Sequence, residues 1–204
     1  AVALVNNAQR EHLEFMSTVE AVARENGSVI ESLPDTGVAI FPADDAFCNL
    51  WRSMAGKRTS WTFAVEPFGN GSNPPEVSCK TPVWQDGAWR VKAVTPAGVQ
   101  DYSLAVAGLH NVKNSLAAIT CALAVGVPLG AIGQGLESFT PVKGRSRALS
   151  LQANERTCTV IDDTYNANPD SVRAAIDVLV GLPGPHLLVL GDMGEVGEQG
   201  PQFH

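Results

Sequence analysis

Asp162–Ala175, DDTYNANPDSVRAA, decides how this chain is to be read. It leaves an apolar β-branched run, TCTVI at 157–161, that has the character of a buried strand, and two acids end that run. Asn168 then suits the N-cap of a helix, and Pro169 suits its first position, where a missing N–H has no partner to lose. Val172, Ala175, Ile176, Leu179 and Val180 recur on one helical face until Gly181, Leu182 and Pro183 stop it. The segment therefore predicts a strand, a polar loop and a helix N-terminus. In open α/β sheets ligands bind in the crevice beyond the carboxyl ends of strands, and a helix N-terminus there favours anions. Asp162, Asp163, Asn166 and Asn168 are placed to line such a crevice; the same residues also serve as ordinary turn and cap residues.

Working outward, the composition is that of a globular chain. Of its 204 residues 45% are hydrophobic, enough to bury a sizeable core. The formal charge of -7 argues against a protein that grips nucleic acid by its phosphates, although Lys143, Arg145 and Arg147 form a local basic patch. Cys48, Cys79, Cys121 and Cys158 follow no metal-ligand spacing and mostly fall in apolar segments, so they read as reduced cysteines of a cytoplasmic protein. No apolar run approaches the roughly 18 residues of a membrane span. AVALV at 1–5 reads as a buried parallel strand without an initiating Met, and GPQFH closes without an element, so the stretch is expected to be a piece of a longer chain.

Alternation of α and β governs the first part. Ser17 and Glu20 make a capping box for a helix that Gly27 would stop. GVAIF (37–41) and WTFAV (61–65) read as strands, with a helix between them that Asp44 or Asp45 would cap and that carries Phe47, Leu50, Trp51 and Met54 on one face. From Glu66 to Tyr102 prolines, glycines and short alternating segments predict an antiparallel insertion with hairpins. Trp84 and Trp89 within it read as packing residues, since no basic groove accompanies them.

Three further polar groups carry chemistry. GLHNVKN (108–114) opens a helix to about Val125, with Val112, Leu116, Ile119 and Leu123 as its buried stripe. Asn111 and Asn114, three apart, share one face of its first turn and can each offer a donor and an acceptor to the edge of a flat heterocycle such as adenine, or simply cap the helix. PVKGRSR (141–147) puts Arg145 at a hinge, where a guanidinium can bond a phosphate bidentately or lie solvated. His12, in REHLEF beyond the first strand, has the place of a metal ligand or of a hydrogen-bonded loop residue.

VNNAQREHLEF, GLHNVKNSLAA, PVKGR, DDTYNANPDSVRAA and LVLGDMGEVG, in this order, resemble the Mur ligases over nearly the whole chain. The resemblance implies an α/β fold: the mostly parallel sheet of a Mur-ligase central ATPase domain with a small antiparallel insertion over 1–144, then the start of a Rossmann-like C-terminal domain over 145–204. It implies ATP and Mg²⁺ as cofactors. UDP-N-acetylmuramoyl-tripeptide and D-alanyl-D-alanine are the implied substrates, joined through an acyl phosphate by a monomer. By residue, Asn111 and Asn114 would contact adenine with His110 supporting that turn, and His12 would bind Mg²⁺. Arg145 would reach the phosphates, Asp163 would accept from the ribose hydroxyls, and Asn166 and Asn168 would shape the loop or face the dipeptide. The sequence departs from the family in two ways. No GxxGK[ST] loop occurs, so the stretch alone is expected to bind Mg-ATP weakly or not at all. Asn26 stands where many members have a carbamylated lysine. Ligases that add glutamate to folate or amino acids to other muramyl peptides share the adenine and hinge features, and a non-catalytic nucleotide-binding module is the alternative of a different class.

Overall fold

The computed structural model describes residues 1–10, 13–67, 74–153, 156–182, 184–194, 196 and 200–203. In chain order the elements are β1 (Val2–Leu4), α1 (Leu13–Met16), α2 (Val19–Glu31), β2 (Val38–Pro42), α3 (Cys48–Ala55), β3 (Thr59–Val65), β4 (Val77–Cys79), β5 (Val83–Gln85), β6 (Ala88–Thr95) and β7 (Gly98–Leu104). They continue with α4 (Leu109–Ala124), α5 (Leu129–Glu137), β8 (Arg147–Ala153), β9 (Arg156–Asp162), α6 (Pro169–Val180) and α7 (Gly200–Phe203).

β1 to β4 run parallel in sequence order, and β6 then pairs antiparallel with β4, β5 and β7. The antiparallel insertion is thus no separate sheet. It extends the parallel one, and its first strand, β4, is itself parallel to β3. Alternate residues sort to opposite faces, as the pleat requires. Ala3, Val5, Ala39 and Phe41 face α2 and α3, while Ile40, Phe63, Val77 and Cys79 face α4. Burial pushes the Cys79 thiol up to about 11, with Glu66 adding to the shift, so it is an inert core residue. Tyr102, buried under α4, has its hydroxyl bonded to Ser115 at 2.5 Å, and desolvation holds its ionisation well above the ordinary range. Trp84 and Trp89 meet edge to face at 5.3 Å, a packing pair as expected.

Several local expectations are corrected. The cap of α2 is Thr18, which accepts from the Ala21 N–H, while Glu20 pairs with Arg24 one turn on. Asp45 accepts from the Phe47 N–H in the turn ahead of α3, and no side chain caps that helix. Gly27 does not stop α2, which runs on to Glu31. A Cβ there would stand 2.6 Å from Met54 Sδ and 2.9 Å from Trp51 Cδ1, so this glycine permits α2 and α3 to touch. Gly27→Ala gains about 1 kcal/mol of helix propensity but overpacks a contact at a cost of about 1–3 kcal/mol. A thermal midpoint lower by about 2–4 °C is the expected result, read by calorimetry.

The 157–161 strand is not buried. It forms part of β9, which among the described residues pairs with β8 alone, from Arg147↔Asp162 to Ala153↔Arg156, and Val160 is 37% exposed. No strand ladder joins this hairpin to the seven-stranded sheet among the described residues, and Leu151 is 51% exposed. HLLVL (186–190) likewise forms no strand, and Leu187 is 82% and Val189 83% exposed.

Candidate functional site

The site is built where α4 begins. Gly108, with φ of +94°, turns the chain into the helix at the carboxyl ends of β1 and β2. From that first turn Lys113 Nζ reaches Asp44 Oδ1 beyond β2 at 2.7 Å. Asn114 is met by Asn6 from beyond β1. The carboxamides then form a relay: Asn6 Nδ2 donates to Asn114 Oδ1 at 2.9 Å, Asn114 Nδ2 to Asn111 Oδ1 at 3.2 Å, and Asn111 Nδ2 to the Ala107 carbonyl at 2.7 Å. Asn111 and Asn114 do share a face of the first turn, and they use it to bond each other. Beside Asn6 a cavity of about 300 Å³ opens, lined by Leu4, Val5, Asn6, Asn7 and Asn26. Asn26 Nδ2 donates to the Asn7 carbonyl at 3.2 Å and so holds the cavity's rim.

His110 folds its ring over Gly108, where a Cβ would meet the ring at 2.4 Å and Val178 of α6 at 3.1 Å. Most of the residue is open, yet local burial of the ring holds the imidazole below its ordinary range, and the charge of Asp163 works against that shift. The first turn of α4 therefore meets α6 and lies within the field of the loop that follows β9.

That loop grips the hinge. Gly144 has φ of +78°, and its N–H donates to Asp162 Oδ2 at 3.1 Å. Ser146, with φ of +50°, is held in the left-handed region by Asp163 Oδ1, which accepts its N–H at 2.8 Å and its hydroxyl at 3.3 Å. Thr164 donates to Asp162 at 2.7 Å, and that bond with those from the backbone holds the carboxyl below its usual range. Arg145, between the two gripped residues, is exposed and lays its guanidinium over the Tyr165 ring at 3.9 Å. The sequence-predicted Asn166 accepts the Ala167 N–H at 2.9 Å, and Asn168 caps α6 in a reciprocal box with Ser171. Both therefore shape the loop.

His110, Asn111 and Asn114 stand together at the start of α4, and Asp163 and Arg145 stand together at the hinge. His12 lies outside the described residues, as do Glu195 and Gly197 of the 191–197 loop and Pro183 after α6. Among the described residues no group of three His, Cys, Asp or Glu side chains converges. No helix among them is long and apolar enough to cross a membrane. Sequence reading missed Asn6, Lys113 and the Arg10–Asp170 pair, since a polar contact between distant segments leaves no periodic pattern.

Residues 1–122 match the family description of the Mur ligase middle domain, and 146–204 that of the Mur ligase, glutamate ligase domain. The chain is 36% identical over 202 residues to the UDP-N-acetylmuramoyl-tripeptide--D-alanyl-D-alanine ligase of Escherichia coli, covering 99% of this chain and 43% of that protein. It thus spans less than half the length of that relative. Among solved structures, MurF from Acinetobacter baumannii superposes with a TM-score of 0.87 at 34% identity, over 99% of this chain and 42% of that one. MurF from Thermotoga maritima in complex with ADP superposes with a TM-score of 0.81 at 23% identity, over 99% of this chain and 44% of that one.

Proposed function

The chain belongs to the Mur ligase family, and from that premise we propose that it forms part of an ATP-dependent amide ligase joining D-alanyl-D-alanine to UDP-N-acetylmuramoyl-tripeptide. The observation that carries this reading is the approach of α6, into which the hinge loop leads, to Gly108 at the start of α4, where Val178 would stand 3.1 Å from a Cβ. A nucleotide seated there has carboxamides for its base and a carboxylate and a guanidinium from the hinge. In the proposed reaction the γ-phosphoryl group passes from ATP to the terminal carboxylate of the tripeptide, releasing ADP. The amine of the dipeptide then attacks the acyl carbon, the tetrahedral intermediate expels phosphate, and the amide remains.

Each residue has a role in that reading. Asn111 and Asn114 present amide edges to adenine, and His110, packed on Gly108, fixes the turn that carries them. Asp163 keeps Oδ1 on Ser146, so Oδ2 is the oxygen offered to the ribose hydroxyls. Arg145 holds positive charge beside the phosphates, where it offsets the charge that builds as the phosphoryl group moves. Asn166 and Asn168 act through loop geometry. Mg²⁺ and its ligand His12 belong to the proposal by family resemblance and phosphoryl chemistry alone, and no step here runs through the metal. The boundary between central and C-terminal units at 144/145, the cytoplasmic setting and the monomeric state are parts of the same proposal.

The test is to express the full-length protein that contains this chain and follow phosphate release. Release that requires ATP, UDP-N-acetylmuramoyl-tripeptide and D-alanyl-D-alanine together is the expected result. Release supported instead by a folate or a single amino acid would move the chain to another branch, and nucleotide binding without turnover would reduce it to a binding module.

A further inference from the structure

One contact crosses the molecule without being needed by any role above. Asp170, second residue of α6, accepts the backbone N–H of Arg10 at 3.0 Å on Oδ2 and the Arg10 Nε at 3.1 and 3.2 Å on its two oxygens, while Nη2 bonds Oδ1. The partners are 160 positions apart. Arg10 lies in the stretch matched by the middle-domain description and Asp170 in the stretch matched by the second. Both side chains are only 32% and 26% exposed, so the pair is partly shielded from water. Proximity holds the carboxyl below its usual range and raises the guanidinium.

The position of the pair gives it a purpose. Arg10 lies on the segment after β1 that carries Asn6 and Asn7, the rim of the carboxamide-lined cavity. Asp170 begins α6, and Val178 near the other end of that helix reaches Gly108 at the start of α4. α6 thus touches both segments that supply the carboxamide relay, and no strand ladder helps it do so among the described residues.

We propose that Arg10 and Asp170 are a positioning pair that clamps α6, and with it the hinge loop, against the loop carrying Asn6. On the ligase reading above, which this inference deepens, the clamp sets the distance between the adenine-facing amides and the ribose-facing Asp163. It is a side-on, multidentate Arg–carboxylate contact, the geometry in which a guanidinium orients as well as attracts.

Tryptic nicking of the full-length protein that contains this chain, at the exposed hinge residues Lys143 and Arg145, tests it, together with hydrogen exchange of the Arg10 amide. Asp170→Ala and Arg10→Met are each expected to speed hinge nicking about fivefold, and the double variant no further, because one contact is being removed twice. In Asp170→Ala the Arg10 amide loses its protection. Asp170→Glu, which keeps the charge, is expected to stay within about twofold of the parent chain. Near-UV circular dichroism of the tryptophans, unchanged in every variant, separates release of the clamp from unfolding. Unchanged nicking in the singles, or effects that multiply in the double, would overturn the clamp. The assay contains no nucleotide, so that failure leaves the ligase reading standing, whereas a full-length protein inactive with all three substrates would overturn the reading and leave the clamp.

Discussion

Trp51→Ala is expected to lower the unfolding free energy by about 4 kcal/mol, seen as a lower urea midpoint at unchanged slope. Trp51 is fully buried, lies 6.4 Å from the Phe41 ring and 6.3 Å from that of Phe47, and donates its indole N–H to the Ala23 carbonyl at 2.8 Å. It joins α3 both to the sheet and to α2, so truncation opens a cavity that three elements line. The neighbours cannot collapse into it, since Gly27 offers no side chain and Phe41 is fixed in β2. Trp51→Phe removes the N–H and part of the ring, and should lose about half as much. A loss below about 1 kcal/mol for the alanine variant would mean that α2 and α3 repack without it.

Asn111→Leu in the full-length protein is expected to lower kcat/KM for ATP about 30-fold, the equivalent of two ordinary hydrogen bonds or about 2 kcal/mol. The preference for ATP over GTP should fall with it, since the edge of the base is what a carboxamide reads. Leucine also strands Asn114, whose Nδ2 donates to Asn111 at 3.2 Å. Asn114→Ala should therefore add less in the Asn111→Leu background than alone. An Asn111→Leu protein with unchanged kcat/KM and unchanged base preference would remove these amides from the nucleotide site.

What the sequence disclosed was local and periodic. The buried positions Val112, Leu116 and Ile119 of α4, the strand runs at 37–41 and 61–65 and the Asn168–Pro169 helix start are properties of neighbouring residues and stand in the structure to within two residues. The apolar face of α6, by contrast, is only half-buried, and Val180 is 68% exposed. Gly27 misled because a glycine that ends a helix and one that admits a neighbouring helix look alike until the neighbour is placed. The 157–161 run misled for a related reason: β-branched residues prefer a strand, but burial depends on what lies beside it, and among the described residues its strand partner is β8 alone. At the site, polar clusters such as GLHNVKN and the hinge were legible as clusters. Their partners, Asn6 across 108 positions and Arg10 across 160, were not.

The row of amides from Asn6 to Ala107 has a sense, and its sense is fixed at one end. The Ala107 carbonyl can only receive, so Asn111 must turn its NH2 toward it and its oxygen toward Asn114. Asn114 must answer with its own NH2, which leaves its oxygen for Asn6. A single backbone carbonyl thereby sets the orientation of three side chains that could each be built either way round. An aspartate at 111 would set acceptor against acceptor at that carbonyl, and one at 114 would do the same against Asn111, although neither change alters shape by more than the exchange of nitrogen for oxygen. The row therefore resists deamidation products as strictly as it resists larger substitutions, and its polarity is inherited by whatever base edge is offered to it.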